Sequence, residues 1–350
     1  MSEPASLIRN SWYVAAWSHE VQADALLART LLGAPVVLYR SDAGAAVALA
    51  DRCCHRAAPL SLGRREGDNL RCMYHGLLFD PAGNCIEAPN QARIPDAFRV
   101  RSYPVEERDR LIWIWPGDPA KADRAAIPDT RWLDDPAWRA KPGYLHYRAN
   151  YRLIIDNLLD FSHLTYVHPT TLGSPAIAAA TPEVERTADG VRVRRLYPAI
   201  DPVPFHAKVG GFTGKVDMWQ IYDWIAPSMI SMDAGSAPAG EGAPAERPRS
   251  AIQFHHLSMI TPETERSSHY FFAQPRNFAL DDPQMDETVF QQLVTAFNED
   301  RAMIEGQQRV IELTPDAPLR TMAADRALVE ARRRVEAMLA EDAAAAERAA

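Results

Sequence analysis

Arg52-Cys53-Cys54-His55-Arg56, then Cys72-Met73-Tyr74-His75-Gly76, decide the fold of the first third of the chain. The two pieces give Cys-x-His (Cys53, His55) and Cys-x2-His (Cys72, His75), with sixteen residues between His55 and Cys72. A Rieske [2Fe–2S] cluster needs two thiolates on one iron and two imidazoles on the other. Two loops that each give one Cys and one His meet that need. A structural zinc site also takes two Cys and two His. Zinc motifs, however, usually pair Cys with Cys and His with His at wider intervals, so the mixed pairs favour the cluster. Working outward, residues 11–17 read as an opening strand. Residues 36–40 and 46–51 flank the turn signal Ser41-Asp42-Ala43-Gly44 and read as a hairpin feeding the first loop. Leu70-Arg71 returns as a strand into the second loop, residues 79–84 mark another turn, and 105–115 form a further hairpin. The expectation is an all-β domain with the cluster at one tip. Of the 4 cysteines, Cys54 and Cys85 are left over. A disulfide between them does not suit a reducing cytosol, and both read as small buried side chains.

A second stretch, Asp156-Asn157-Leu158-Leu159-Asp160-Phe161-Ser162-His163-Leu164-Thr165-Tyr166-Val167-His168, holds two histidines five apart and a carboxylate three before the first. Read as a helix starting near Leu153, it puts 160 and 163 on one face and 168 roughly one turn on. Imidazoles so placed can hold one metal from one side. A carboxylate from elsewhere would complete the two-His-one-carboxylate triad of Fe(II) oxygenases. The plainer reading is a helix end with two ordinary histidines. Leu158, Leu159 and Phe161 read as core.

The 350 residues suffice for two domains, with the boundary expected in the Pro/Asp/Ala-rich segment near residue 118. Net charge −8 argues against a nucleic-acid binder. No apolar run reaches the roughly 18 residues of a membrane span, and the N-terminus has no signal-like layout; a cytoplasmic protein is expected. Past the second metal stretch, residues 170–182 read as a small-residue loop and candidate flap, and 183–198 as a hairpin. Residues 215–225, 228–233, 251–260 and 267–273 read as strands, and 234–250 as a long exposed loop. Residues 283–313 read as a long helix with an apolar stripe of Val289, Leu293, Ala296, Phe297, Ile304 and Val310. The second part is thus an antiparallel sheet with one long helix, an α+β pattern.

The order Cys-x-His, Cys-x2-His, Asp-x2-His-x4-His resembles the oxygenase components of Rieske non-haem iron oxygenases. The similarity is to the type that includes vanillate O-demethylase, dicamba O-demethylase and toluenesulfonate methyl-monooxygenase. Supporting stretches are His55–Gly63, Tyr74-His75-Gly76-Leu77, Trp113–Asp118 and Thr261-Pro262-Glu263-Thr264-Glu265. The resemblance implies an N-terminal Rieske domain (1–118) and a helix-grip, START-like catalytic domain (119–350). It implies cluster ligands Cys53, His55, Cys72 and His75, and a mononuclear Fe(II) held by His163 and His168. The match of Asn298-Glu299-Asp300-Arg301 makes Asp300 the implied third ligand. It implies that Asp160 bridges His75 and His163 across the interface of a head-to-tail homotrimer; that Asp160 only orients His163 stays open. Asn157 is expected to hydrogen-bond near the iron. The implied reaction uses O2 and electrons from a separate NAD(P)H-dependent reductase of flavin or ferredoxin type, whose fingerprints this chain lacks. It would hydroxylate a methyl or methoxy group of a small aromatic acid. Ring cis-dihydroxylation would use the same iron site. A zinc-stabilised helix-grip binding protein is the non-enzyme alternative, and it leaves Asp160, His163, His168 and Asp300 unused. A substrate-contacting His and Trp of the dicamba type correspond to Ser258 and Gln291, which departs from that pattern. Lys208, Lys215 and Arg276 are the candidate cations for an acidic substrate, each reading more readily as a surface charge.

Overall fold

The computed structural model describes residues 7–349 apart from 90, 170, 171, 174, 246, 247 and 249. The chain divides into two compact units: Leu7–Pro128 with Thr261–Glu265, and Asp129–Ile260 with the chain from Arg266 onward. Residues 119–128 therefore go with the first unit, and the division falls later than 118. The reason is local. The Trp12 indole N–H donates to the Asp123 carbonyl at 2.8 Å, and Asp118 and Asp123 each cap a short 3-10 turn in this segment.

The first unit is all-β, with three small antiparallel sheets. Tyr13–Trp17 pairs with Leu111–Ile114, which pairs with Val105–Arg108. Leu27–Leu31, Ala34–Arg40 and Ala46–Ala50 form the second sheet; Arg64–Glu66, Asn69–Arg71, Leu78–Phe79 and Cys85–Glu87 form the third. The two-residue link Leu32-Gly33 has φ of 50° and 76°, the left-handed pair that suits a tight hairpin. Val37, Leu49, Leu60, Leu70 and Phe79 are fully buried in one core with Cys53 and Cys72. Each such apolar side chain contributes about 1.5–3 kcal/mol on burial, so the roots of both cysteine loops are set in a buried core of the unit.

The second unit is a seven-stranded antiparallel sheet in the spatial order Gly143–Tyr147, Ser268–Ala273, Ile252–Pro262, Met229–Pro238, Val216–Ile225, Gly190–Ile200, Glu183–Arg186. Helices α1 (Tyr151–Leu159), α2 (Leu164–Val167), α3 (Pro175–Ala179), α4 (Pro204–Gly210), α5 (Pro283–Leu313) and α6 (Arg326–Ala349) complete it. The strand Gly190–Ile200 alternates, with Val191, Val193 and Tyr197 in and Arg192, Arg194 and Leu196 out. Ser268–Ala273 is buried throughout, as a strand covered on both faces must be. Helix α5 starts with Asp282 capping Gln284 N and Pro283 in the first turn. It crosses the sheet with Phe297 packed on Tyr270 and Phe272, at centroid distances of 5.1 and 5.0 Å. Tyr147 OH donates to the Phe297 carbonyl and Asn150 N to Gln308 Oε1, both at 2.9 Å. This is the helix-grip arrangement, and α5 spans the residues expected.

Several expectations need correction. The segment 234–250 is not all loop: the strand runs to Pro238, and Ala234–Ala237 are buried. Glycine is required at 235 because a side chain there would collide with the Trp219 ring, 2.3 Å from an ideal Cβ. Val310 lies outside the α5 stripe, 60% exposed. Arg276 is not a surface charge; it is 1% exposed and pairs with Asp286 at 2.6 Å. The loop expected over 170–182 contains α3, and its residues 170, 171 and 174 lie outside the described residues.

Candidate functional site

The two cysteine loops repeat one backbone design. Cys53 N donates to Ala58 O and Ala57 N to Cys53 O; Cys72 N donates to Leu77 O and Gly76 N to Cys72 O, all at 2.8–3.0 Å. The fifth residue of each loop has positive φ: Ala57 at 56° and Gly76 at 81°. At Gly76 an added Cβ would also meet the Pro89 ring at 2.9 Å, so glycine is required there twice over. The result separates the donors by type. Cys53 and Cys72 are both 1% exposed, and their side chains lie within hydrogen-bonding reach of each other. His55 and His75 are exposed, their rings 4.5 Å apart. Burial pushes the Cys53 thiol up to about 12, partly offset by the His55 backbone N–H. Cys54 is half-buried and Cys85 buried, and all four cysteines are free thiols.

The second metal stretch is not one helix. α1 stops at Leu159, because Asp160 leaves helical geometry (φ −118°, ψ 97°) and caps the next turn. Its Oδ1 accepts from Ser162 N at 2.9 Å and its Oδ2 from Ser162 Oγ at 2.8 Å; Arg195 Nη2 lies 3.9 Å from Oδ1. A 3-10 turn, Phe161–His163, and the short α2 then deliver His163 and His168. The break lets both imidazoles aim at one point. Within the chain it is the Asp160 carbonyl, not the carboxylate, that accepts from His163 Nδ1–H, at 2.5 Å.

His163, His168 and Asp300 bring one donor atom each to within 4.8 Å of one another. His168 Nε2 is 3.1 Å and His163 Nε2 3.4 Å from Asp300 Oδ1. Each ring has its other nitrogen engaged outward: His163 Nδ1–H donates to Asp160 O, and His168 Nδ1–H donates to Glu299 Oε2 at 2.7 Å. A donor pinned at Nδ1 leaves the Nε2 lone pair facing inward, the tautomer a metal requires. Asn157 Nδ2 donates to Asp300 Oδ1 at 3.1 Å and lies 3.5 Å from His163 Nε2. Burial would raise the Asp300 carboxyl, yet positive charge on the two facing imidazoles would hold it down to about 2. Burial would lower His168, yet Asp300 and then Glu299 raise it. The site is therefore built for a positive charge at its centre. Asp156 faces away from it: burial raises its pKa against the pull of Arg332, 2.5 Å away on α6.

A cavity of about 100 Å3 opens on this triad. Phe161, Leu158, Phe205, Leu293 and Phe297 make an apolar wall, and Gln220, His206, His256, Gln274 and Gln292 add polar groups. Neither Lys nor Arg is among its described lining residues. Of the adjacent pair on one strand, His256 faces the cavity, and His255 stacks on Trp132 at 3.2 Å. Ser258 is fully buried behind His256, and Gln291 is exposed, bonded to Glu287. Sequence reasoning missed the role of Glu299 as partner of His168, for which its place beside Asp300 was the available signal. It also missed Gln220, Gln274 and Gln292, which carried none.

An exposed imidazole pair over a buried thiol pair in one unit, with a two-His-one-Asp triad under an apolar cavity in the other, defines an oxygenase component of the Rieske non-haem iron oxygenases. Residues 11–104 match the Rieske [2Fe-2S] domain and 147–341 the vanillate O-demethylase oxygenase C-terminal domain, and the chain belongs to that family. It is 53% identical to the toluene-4-sulfonate monooxygenase system iron-sulfur subunit of Comamonas testosteroni, over 93% of this chain and 95% of that protein. It is 42% identical to the dicamba O-demethylase oxygenase component of Stenotrophomonas maltophilia, over 87% and 89% of the two chains. The crystal structure of dicamba monooxygenase bound to 3,6 dichlorosalicylic acid superposes with a TM-score of 0.91 at 39% identity, covering 97% of this chain and all of that one. The protein is thus a Rieske-type oxygenase, with a [2Fe–2S] cluster, a mononuclear non-haem iron and O2 as cosubstrate. The zinc-stabilised binding-protein reading gives way to this assignment. No helix among the described residues is long and apolar enough to cross a membrane.

Proposed function

We propose that this chain hydroxylates a methyl or methoxy carbon of a small aromatic acid, with Cys53, His55, Cys72 and His75 holding the cluster and His163, His168 and Asp300 holding the iron. The observation that carries the reading is the convergence of two inward Nε2 atoms and one carboxylate oxygen on a single point under an apolar cavity. That donor set suits Fe(II) with open positions. The split of the other four donors into a thiol pair and an imidazole pair suits a Rieske cluster. When bound, the cluster supplies single electrons and the iron activates dioxygen, so that one oxygen atom enters the substrate carbon and the other leaves as water.

The chain's own residues set the conditions. Glu299 and the Asp160 carbonyl fix both tautomers, and Asn157 steadies the Asp300 oxygen. Phe161, Phe205 and Phe297 exclude water and stack an aromatic ring. A methoxy carbon so hydroxylated collapses to a phenol and formaldehyde; an aryl methyl stops at the alcohol. An oxygen-uptake screen over methyl- and methoxy-substituted aromatic acids tests this, and uptake with neutral arenes alone would contradict it. Glu299→Gln keeps the side chain's size but weakens its bond to His168. We expect roughly 10- to 100-fold weaker iron binding with the visible cluster spectrum unchanged, read by iron titration.

Electrons come from a separate NAD(P)H-dependent reductase of flavin or ferredoxin type, in the cytoplasm. Relatives named as a subunit or component of a larger system support a separate electron donor. The working unit is a homotrimer, in which Asp160 links His163, held by its carbonyl, to His75 of the partner subunit, met by its carboxylate. A mixture of Cys72→Ser and His163→Ala subunits, each inactive alone, should then recover activity on reassembly. Mixed trimers that form and stay inactive would exclude that route.

A further inference from the structure

Most polar groups lining the cavity are partnered. Gln220 Oε1 accepts from Tyr197 OH at 2.8 Å, and His206 Nδ1 meets Ser236 Oγ at 2.7 Å. Two buried nitrogens are different: His256 Nδ1 and Gln292 Nε2 have no hydrogen-bond partner. Buried polar atoms are seldom left so, and those that are call for an explanation. His256 is 4% exposed, with the Gln274 amide beside its ring but no well-formed bond at Nδ1.

A proton relay behind His256 decides what its free nitrogen offers. Among the described residues, the Tyr270 hydroxyl bonds to Ser258 Oγ alone, at 2.7 Å; either atom can donate, and we assign the donor to Tyr270, which has no other acceptor. Ser258, with its single proton, then donates to His256 Nε2, also at 2.7 Å. A neutral imidazole that accepts at Nε2 carries its hydrogen on Nδ1. Burial keeps the ring neutral by lowering its pKa to about 4. The cavity therefore presents two desolvated N–H donors, from His256 and Gln292. Gln292 lies two helical turns before Asp300 on the inward side of α5, about 12 Å along its axis. Gln292 thus sits well away from the metal triad, and the His256 ring lies between that level and the triad, 5.6 Å from the Phe297 ring.

We propose that His256 Nδ1–H and Gln292 Nε2–H form a two-point cradle for the sulfonate or carboxylate oxygens of the substrate, and so determine which end of the ring faces the metal triad. The inference rests on the aromatic-acid reading above and assigns its head-group site. With no cation in the described lining, neutral donors carry the recognition. Such bonds to an ionised oxygen are stronger than neutral pairs. Ser258 and Tyr270 are positioning residues that set the His256 tautomer.

The test is anaerobic calorimetry on the metal-loaded protein. The probes are 4-methylbenzenesulfonate, 4-methylbenzoate and p-xylene, the last of similar shape but without an acceptor. His256→Phe and Gln292→Leu should each weaken both acids by about 10- to 100-fold, the loss typical of a bond to a charged group. p-Xylene should bind unchanged or better. Ser258→Ala should weaken the acids selectively with His256 still in place, and Ser258→Thr should restore them. Acid binding that survives both cradle variants overturns the proposal. So does an equal loss for acids and p-xylene, which marks a packing defect, and so does a wild-type protein that binds neither acid. Product formation is scored separately: acids bound through the cradle but never oxidised would overturn the functional reading and leave the cradle standing.

Discussion

Asp300→Ala is expected to lose the mononuclear iron and nearly all turnover while keeping the cluster's visible absorption. The side chain is 5% exposed and is the only anionic donor of the triad. It also receives Asn157 Nδ2, and it lies 3.1 and 3.4 Å from the two inward imidazole nitrogens. Alanine removes the negative charge from a buried site and leaves two lone pairs facing each other without it. Loss of a residue that merely supports a metal ligand costs up to about 100-fold in affinity; loss of the carboxylate itself should exceed that. The cluster donors lie in the other compact unit, so their spectrum should not change. Iron analysis and oxygen uptake on the purified variant check this. Retained iron and activity would move the third donor to another carboxylate, with Glu299, already bonded to His168, the first to examine.

Cys53→Ser and Cys72→Ser should show the converse: no visible cluster band, loss of the iron that belongs to it, and an intact mononuclear site. Both sulfurs sit at the roots of loops locked by matching backbone bonds, in the core of Leu49, Leu60, Leu70 and Phe79. A serine hydroxyl is a poorer soft donor for iron–sulfur chemistry than a thiolate. Cys54→Ala is the control. Its sulfur neighbours the cluster position, but Cys53 has the partner thiol in Cys72, so the spectrum should persist. Bleaching by Cys54→Ala together with a coloured Cys53→Ser would reverse the assignment.

Much of this was legible because the chemistry is local. Cys53, His55, Cys72 and His75 occupy short loops whose spacing alone indicates mixed ligation, and α5 was marked by its apolar stripe and its Pro283 start. Other features were not local. The path of 160–168 reads as a helix by spacing, but Asp160 prefers to cap Ser162 and breaks it, and only that break turns both imidazoles inward. The small residues of 234–238 resemble a loop until Trp219 is seen filling the space above Gly235. Arg276 looked like a surface charge because its partner Asp286 lies on another element. Asp300 could be singled out only by resemblance, since a helix carboxylate has no signal of its own until the fold brings it to His163 and His168. The cavity polar groups are scattered over four elements and one loop, and nothing in their local sequence marks them.

The most direct test of the central claim is a single turnover under 18O2 with the reduced, metal-loaded protein and a methyl-substituted aromatic acid that supports oxygen uptake. The account predicts a side-chain alcohol carrying one labelled oxygen atom, with the ring intact and the other atom recovered in water. A ring cis-diol carrying two labelled atoms would contradict it.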